Sequence, residues 1–122
     1  MGKLLIVEDD ESVRMFIARA LSASGHTVET AADGEEGLAA ITAAQGGFDL
    51  VLSDIRMPIM DGIEMAKRAA AAFPGLPILL MTGYAEQRER AAELESIVID
   101  VVAKPFTLAE IRAKVREALS AA

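Results

Sequence analysis

Leu50-Val51-Leu52-Ser53-Asp54 is a run of three aliphatic residues that ends in a carboxylate. The same pattern recurs along the chain. Leu4-Leu5-Ile6-Val7 runs into Glu8-Asp9-Asp10, and Pro77-Ile78-Leu79-Leu80-Met81 runs into Thr82. Ile97-Val98-Ile99 and Val101-Val102 lead toward Lys104-Pro105, while Val28-Glu29-Thr30-Ala31 is a weaker copy. A short run that is apolar at every position suits a strand covered on both faces, as in a parallel sheet.

Helical patterns lie between these runs. Val13, Phe16, Ile17, Ala20 and Leu21 share one helical face. Glu36 to Ala44 is a second, Ala-rich candidate, and Ile63, Ala66, Ala69, Ala70 and Phe73 mark a third, stopped by Pro74-Gly75. Glu86 to Leu94 is a fourth. Leu108, Ile111, Val115 and Leu119 mark the last, with Thr107 and Glu110 as its capping box. The order βαβαβαβαβα predicts an α/β fold: a five-stranded parallel sheet between two helical layers. Five such units fit the flavodoxin-like strand order 2-1-3-4-5, and ligands of such folds bind at the carboxyl ends of the strands.

Composition bounds the function. The 122 residues suffice for one domain with a real core. Apolar residues make up 52% and charged residues 25%, a globular balance. No apolar run approaches the roughly 20 residues of a membrane span, and the early acidic residues do not suit a secretory signal. With no cysteine, disulfides and thiolate metal sites are excluded. The expected location is the cytoplasm. A net charge of −7 argues against nucleic acid as a direct ligand. His26, the only histidine, is expected on the surface of the Gly25-His26-Thr27 turn, and one histidine makes histidine-based metal catalysis a poor fit. Met57 and Met60 read as packing residues. No glycine-rich or Walker-type phosphate loop is present.

In the predicted strand order, Glu8-Asp9, Asp54, Thr82 and Lys104 end neighbouring strands and share one rim. Clustered carboxylates must protonate or recruit a cation. Two or three oxygens plus waters suit Mg2+. A carboxylate can attack phosphorus to give an acyl phosphate, and a lysine and a threonine can hold the phosphoryl oxygens. Taken singly, an acidic run is most often a solvated loop or helix start, and Asp54, Thr82 and Lys104 are most often turn, strand-end and surface residues. Their convergence on one rim carries the signal.

Val7-Glu8-Asp9-Asp10, Asp54-Ile55-Arg56-Met57-Pro58-Ile59-Met60-Asp61-Gly62, Met81-Thr82-Gly83 and Lys104-Pro105-Phe106 resemble the receiver domains of two-component response regulators. The resemblance covers essentially the whole chain, residues 1–122, as a single domain without an output domain. It implies a CheY-like fold and Asp54 as phosphoacceptor, with Asp9 as direct Mg2+ ligand and Glu8 acting through water. The Arg56 backbone carbonyl would be a further ligand. Thr82 and Lys104 would meet the phosphoryl group, and Pro105 would follow a cis peptide. Asp10 aligns with no required role. Many receivers carry an aromatic switch where this chain has Val101, which has no ring to swing. Tyr84, the only tyrosine, is a candidate gate over the pocket in its place.

A finer match lies in Thr82-Gly83-Tyr84-Ala85-Glu86-Gln87-Arg88-Glu89-Arg90-Ala91 with Lys104-Pro105-Phe106-Thr107-Leu108, which is similar to the CpdR-type receivers of alphaproteobacteria. That resemblance implies a cell-cycle regulator, an adaptor for the ClpXP protease when unphosphorylated. Phosphate would come from a histidine phosphotransferase or histidine kinase, and partners would recruit the protein to a cell pole. It implies no small-molecule turnover, and a monomer unless an apolar helix face supports a dimer. Two alternatives stay open: an aspartate-nucleophile phosphatase, which usually wants an acid where Arg56 stands, and a pseudo-receiver that binds partners without phosphate.

Overall fold

Alternating side chains of the central strands feed two separate apolar clusters. Leu5 and Val7, Val51, and Ile78 and Leu80 face one side of the sheet. Leu4 and Ile6, Leu50 and Leu52, and Leu79 and Met81 face the other. This is the two-residue period of a strand buried on both faces. The computed structural model describes residues 2–83, 94 and 96–120. Its strands are β1 (Lys3–Val7), β2 (Thr27–Ala31), β3 (Leu50–Asp54), β4 (Ile78–Thr82) and β5 (Asp100–Ala103), and its helices are α1 (Glu11–Ala23), α2 (Gly34–Ala43), α3 (Gly62–Ala72) and α4 (Leu108–Ser120). The sheet is parallel throughout, in the order β2-β1-β3-β4-β5. Ile41 of α2 and Ile63, Met65 and Ala69 of α3 close one face. Ile17 and Leu21 of α1 and Ile111 and Val115 of α4 close the other. The three-layer expectation holds. The expected helix over Glu86 to Leu94 lies almost wholly outside the described residues.

Three acids start helices. Asp10 accepts a hydrogen bond from Val13 N, Asp33 from Glu36 N and Asp61 from Glu64 N. Each cap stabilises its helix by about 1 kcal/mol. Asp33 also explains why α2 begins at Gly34, two residues before the sequence suggested. The capping box at α4 forms as expected: Thr107 N donates to Glu110 Oε1 at 3.0 Å and Glu110 N to Thr107 Oγ1 at 3.1 Å.

Four expectations need correction. Ile97-Val98-Ile99 is not strand. Ile97 N and Val98 N both bond back to Leu94 O in a turn; Ile99 N then donates to Ile78 O at the start of β4, and the paired register of β5 runs from Asp100. Phe16 and Leu108 were placed on inward helix faces, yet they are 45% and 38% exposed. The inward stripes are narrower than the periodicity suggested: Ile17, Ala20 and Leu21 on α1, and Ile111, Val115 and Ala118 on α4. His26 is half-buried rather than superficial, because its Nδ1 accepts the Gly2 N–H at 3.1 Å.

Candidate functional site

β1, β3, β4 and β5 are consecutive in the sheet, so their carboxyl ends form one rim. The register places Val7 against Ser53, Asp54 against Met81 and Thr82 against Ala103. Glu8, Asp54, Thr82 and Lys104 therefore converge. Lys104 Nζ lies 2.5 Å from Glu8 Oε1 and 3.2 Å from Asp54 Oδ2. Glu8 is fully buried, and Asp54 and Thr82 are nearly so, at 8% and 1% exposed. Asp9 is exposed at the mouth. A cleft of about 890 Å3 opens over these groups, with Asp9, Asp54, Arg56, Lys104 and Pro105 in its wall. The Lys104–Pro105 peptide is cis, as expected.

The backbone fixes the central acid. Asp54 Oδ1 accepts from Ile55 N at 3.0 Å, and the Ser53 hydroxyl donates to the Asp54 carbonyl at 2.9 Å. Ile55 N also donates to Met81 O on the neighbouring strand. The loop after β3 returns so closely that a Cβ on Gly62 would stand 2.1 Å from the Asp54 carbonyl oxygen. Only glycine fits there. Gly62→Ala is expected to lower stability by about 2–3 kcal/mol through this overpacking, read as a fall in urea midpoint. An unchanged midpoint would show that the loop yields freely.

Electrostatics follow from the crowding. Burial pushes the Glu8 carboxyl above its usual range, and neighbouring Asp54 adds to this while Lys104 opposes it. Asp9 is also raised, by partial desolvation at the cleft mouth and then by Glu8. Burial works against the charge on Lys104, but its bond to Glu8 and the charges of Asp54 and Glu8 outweigh that, so its ammonium is held above the usual value. One lysine thus pairs with two carboxylates, Glu8 and Asp54.

The family model of the response regulator receiver domain matches residues 4–116. This chain belongs to the receiver domain family. Response regulator MprA of Mycolicibacterium vanbaalenii is 38% identical over 117 residues, which is 96% of this chain and 50% of that protein. Transcriptional regulatory protein TcrA of Mycobacterium tuberculosis is 36% identical over 114 residues, 93% of this chain and 44% of that one. The chain spans about half the length of the curated relatives it matches. Among solved structures, chemotaxis response regulator CheY4 of Vibrio cholerae superposes with a TM-score of 0.86 at 31% identity, covering 97% of this chain and 98% of that one.

Receiver domains bind Mg2+ at an acidic pocket, and the residues here fit such an ion. Carboxylate oxygens of Glu8, Asp9 and Asp54 lie within 4.8 Å of one another. Glu8 Oε2 is buried without a hydrogen-bond partner, an acceptor that a cation or its water would satisfy. An all-oxygen set of this kind suits a hard divalent ion. Asp10 stays outside the cluster because its carboxylate is committed to the α1 cap. Val101 is half-buried and packs on the α2–α3 side of the sheet. Tyr84 lies outside the described residues. Met57 and Met60 pack against the same cluster as Val101, as expected. Arg14 was missed by the sequence reading: its guanidinium donates to the Glu8 carbonyl at 2.8 Å and steadies the β1–α1 turn. Nothing in the residue pattern marked it.

The raised Glu8 carboxyl makes a pH prediction. A group whose folded value exceeds its ordinary 4.5 contributes stability that is full below 4.5 and lost as pH rises through the folded value. In chelator, the stability of wild type relative to Glu8→Gln should therefore fall as pH rises from 4.5 toward neutral. Mg2+ should flatten that fall, because a cation favours the carboxylate. Parallel pH profiles for the two proteins in urea would contradict the assignment.

Proposed function

We propose that this chain is a phosphorylation-switched binding module whose phosphoacceptor is Asp54. The observation that carries the reading is the Lys104 ammonium bridging a buried Glu8 and a nearly buried Asp54 beside Thr82. Receiver domains take phosphoryl groups from histidine kinases. Here an Asp54 carboxylate oxygen forms the new bond to phosphorus as the N–P bond of a donor phosphohistidine breaks, and the donor imidazole keeps the electron pair. Lys104 exchanges part of its contact with Asp54 for a phosphoryl oxygen, and the Thr82 hydroxyl donates to another. Glu8, Asp9, Asp54 and the Arg56 carbonyl would hold Mg2+, which would supply charge neutralisation for the transferring group. The bound phosphoryl group then shifts the populations of two surface states, through its different affinity for each. The chain shares in the chemistry of its own modification and turns over no small substrate.

The test is intact mass after incubation with Mg2+ and a small acyl phosphate, and in parallel with a competent phosphotransferase. A gain of one phosphoryl group, abolished by chelator, is expected. No gain from either donor would favour the pseudo-receiver.

The output is narrower ground. The CpdR-like match in the stretches from Thr82 and from Lys104 supports a cell-cycle adaptor that engages ClpXP when unphosphorylated. This rests on sequence resemblance alone. Binding to ClpX that weakens on phosphorylation is its expected signature. The names of MprA and TcrA support a second reading, in which the same receiver serves a regulator of transcription. For location, no helix among the described residues is long and apolar enough to cross a membrane.

A further inference from the structure

Five large apolar side chains are exposed among the described residues, and three of them meet in one place. Met15, Phe16 and Leu108 are 43%, 45% and 38% exposed, and all three line one groove between α1 and α4. That clustering separates them from the single exposed apolar residues normal on any surface. The charges flanking them are ordered. Glu11 opens α1 and Arg19 follows two turns later, with Met15 midway; all three are exposed and line the same groove. Residues at i, i+4 and i+8 rise about 6 Å per step and stay on one face of a helix. Neither Glu11 nor Arg19 forms an ion pair with another described residue of its own chain.

A stripe that reads acid, apolar, base is complementary to itself when reversed. We propose that this face of α1 is a self-association surface, on which a second copy of the chain packs its α1 antiparallel about a two-fold axis at Met15. The axis sets Glu11 of each copy opposite Arg19 of the other, twice. It brings Met15 onto its own symmetry mate, with Phe16 and Leu108 of both copies closing the flanks. This is the isologous arrangement that two-fold symmetry requires. Burial of the apolar centre supplies the affinity, whereas the exposed ion pairs add little and fix the register. A patch this small implies a weak dimer, with a Kd on the order of 100 µM.

Charge reversal tests this in a way that a loss of folding cannot mimic. Arg19→Glu and Glu11→Arg each set like charges against each other in the antiparallel pair, so each alone should weaken self-association by about tenfold. An equimolar mixture of the two variants restores both opposite-charge pairs, and it should associate as a heterodimer at nearly wild-type strength. Sedimentation equilibrium of each variant, of the mixture and of wild type reads all four states. Circular dichroism melts confirm that each variant is folded. A wild type that stays monomeric up to about 1 mM overturns the proposal, as does a mixture no stronger than its components. A monomeric wild type whose reversed variants accept phosphate more slowly from a donor protein also overturns it, and assigns the groove to the donor instead.

Discussion

Asp54→Asn is expected to gain no phosphoryl group under conditions where wild type is stoichiometrically modified, a loss of at least about 100-fold in extent. An amide oxygen carries no full negative charge and does not form the acyl phosphate, so the proposed nucleophile is removed outright. The substitution is nearly isosteric. Its carbonyl oxygen can still accept the Ile55 N–H that now reaches Asp54 Oδ1 at 3.0 Å, and Lys104 keeps Glu8 as partner. The fold should therefore survive. Removing one of three clustered carboxylates relieves repulsion, so stability in chelator should hold or rise by less than about 1 kcal/mol. Intact mass reads the first effect and urea unfolding the second. Equal mass gain in both proteins would place the acceptor elsewhere.

Lys104→Ala is expected to cost about 2–3 kcal/mol at neutral pH in chelator. Breaking a fully buried pair costs about 3–5 kcal/mol, because one charge is left without compensation. Here the Lys104 side chain is one-quarter exposed while that of Glu8 is buried, and the Glu8 carboxyl is already raised by burial. Glu8 can thus escape part of the penalty by protonating. The loss should accordingly shrink as pH falls toward 5 and grow as pH rises, and Mg2+ should recover part of it. A loss independent of both pH and Mg2+ would mean that the alkyl chain of Lys104, not its charge, carries the contribution. The variant should still accept phosphate, since Asp54 and the acidic cluster remain. It should fail to convert phosphate into altered partner affinity, because the group linking β5 to the phosphoryl oxygens is gone. Equal affinity changes on phosphorylation of wild type and variant would refute that link.

The site was legible because its parts sit at the ends of aliphatic runs. Leu50-Val51-Leu52 before Asp54, and Pro77 to Met81 before Thr82, announce strands by composition, and a parallel order carries their ends to one rim. β5 was legible only in part. Ile97-Val98-Ile99 has strand composition, but the Leu94 carbonyl captures two of its N–H groups, a contest that no local propensity registers. Phe16 and Leu108 misled for a related reason. A 3.6-residue period marks a face roughly 100° wide, and the sheet fills only its centre.

By itself the sequence determined the parallel α/β order, the strand-end acids, threonine and lysine, and the capping box at Thr107 and Glu110. These follow from short-range pattern and turn chemistry, which act within a few residues. Tertiary structure decided where each of the neighbouring acids stands. Glu8, Asp9 and Asp10 are adjacent in the chain, yet Glu8 is buried against Lys104, Asp9 stands at the mouth of the cleft and Asp10 caps α1. The tertiary structure also decided that Gly62 touches the Asp54 carbonyl and that Met15, Phe16 and Leu108 share one groove. Those outcomes depend on the distances between segments far apart in sequence, which the packing of both helical layers on the sheet sets.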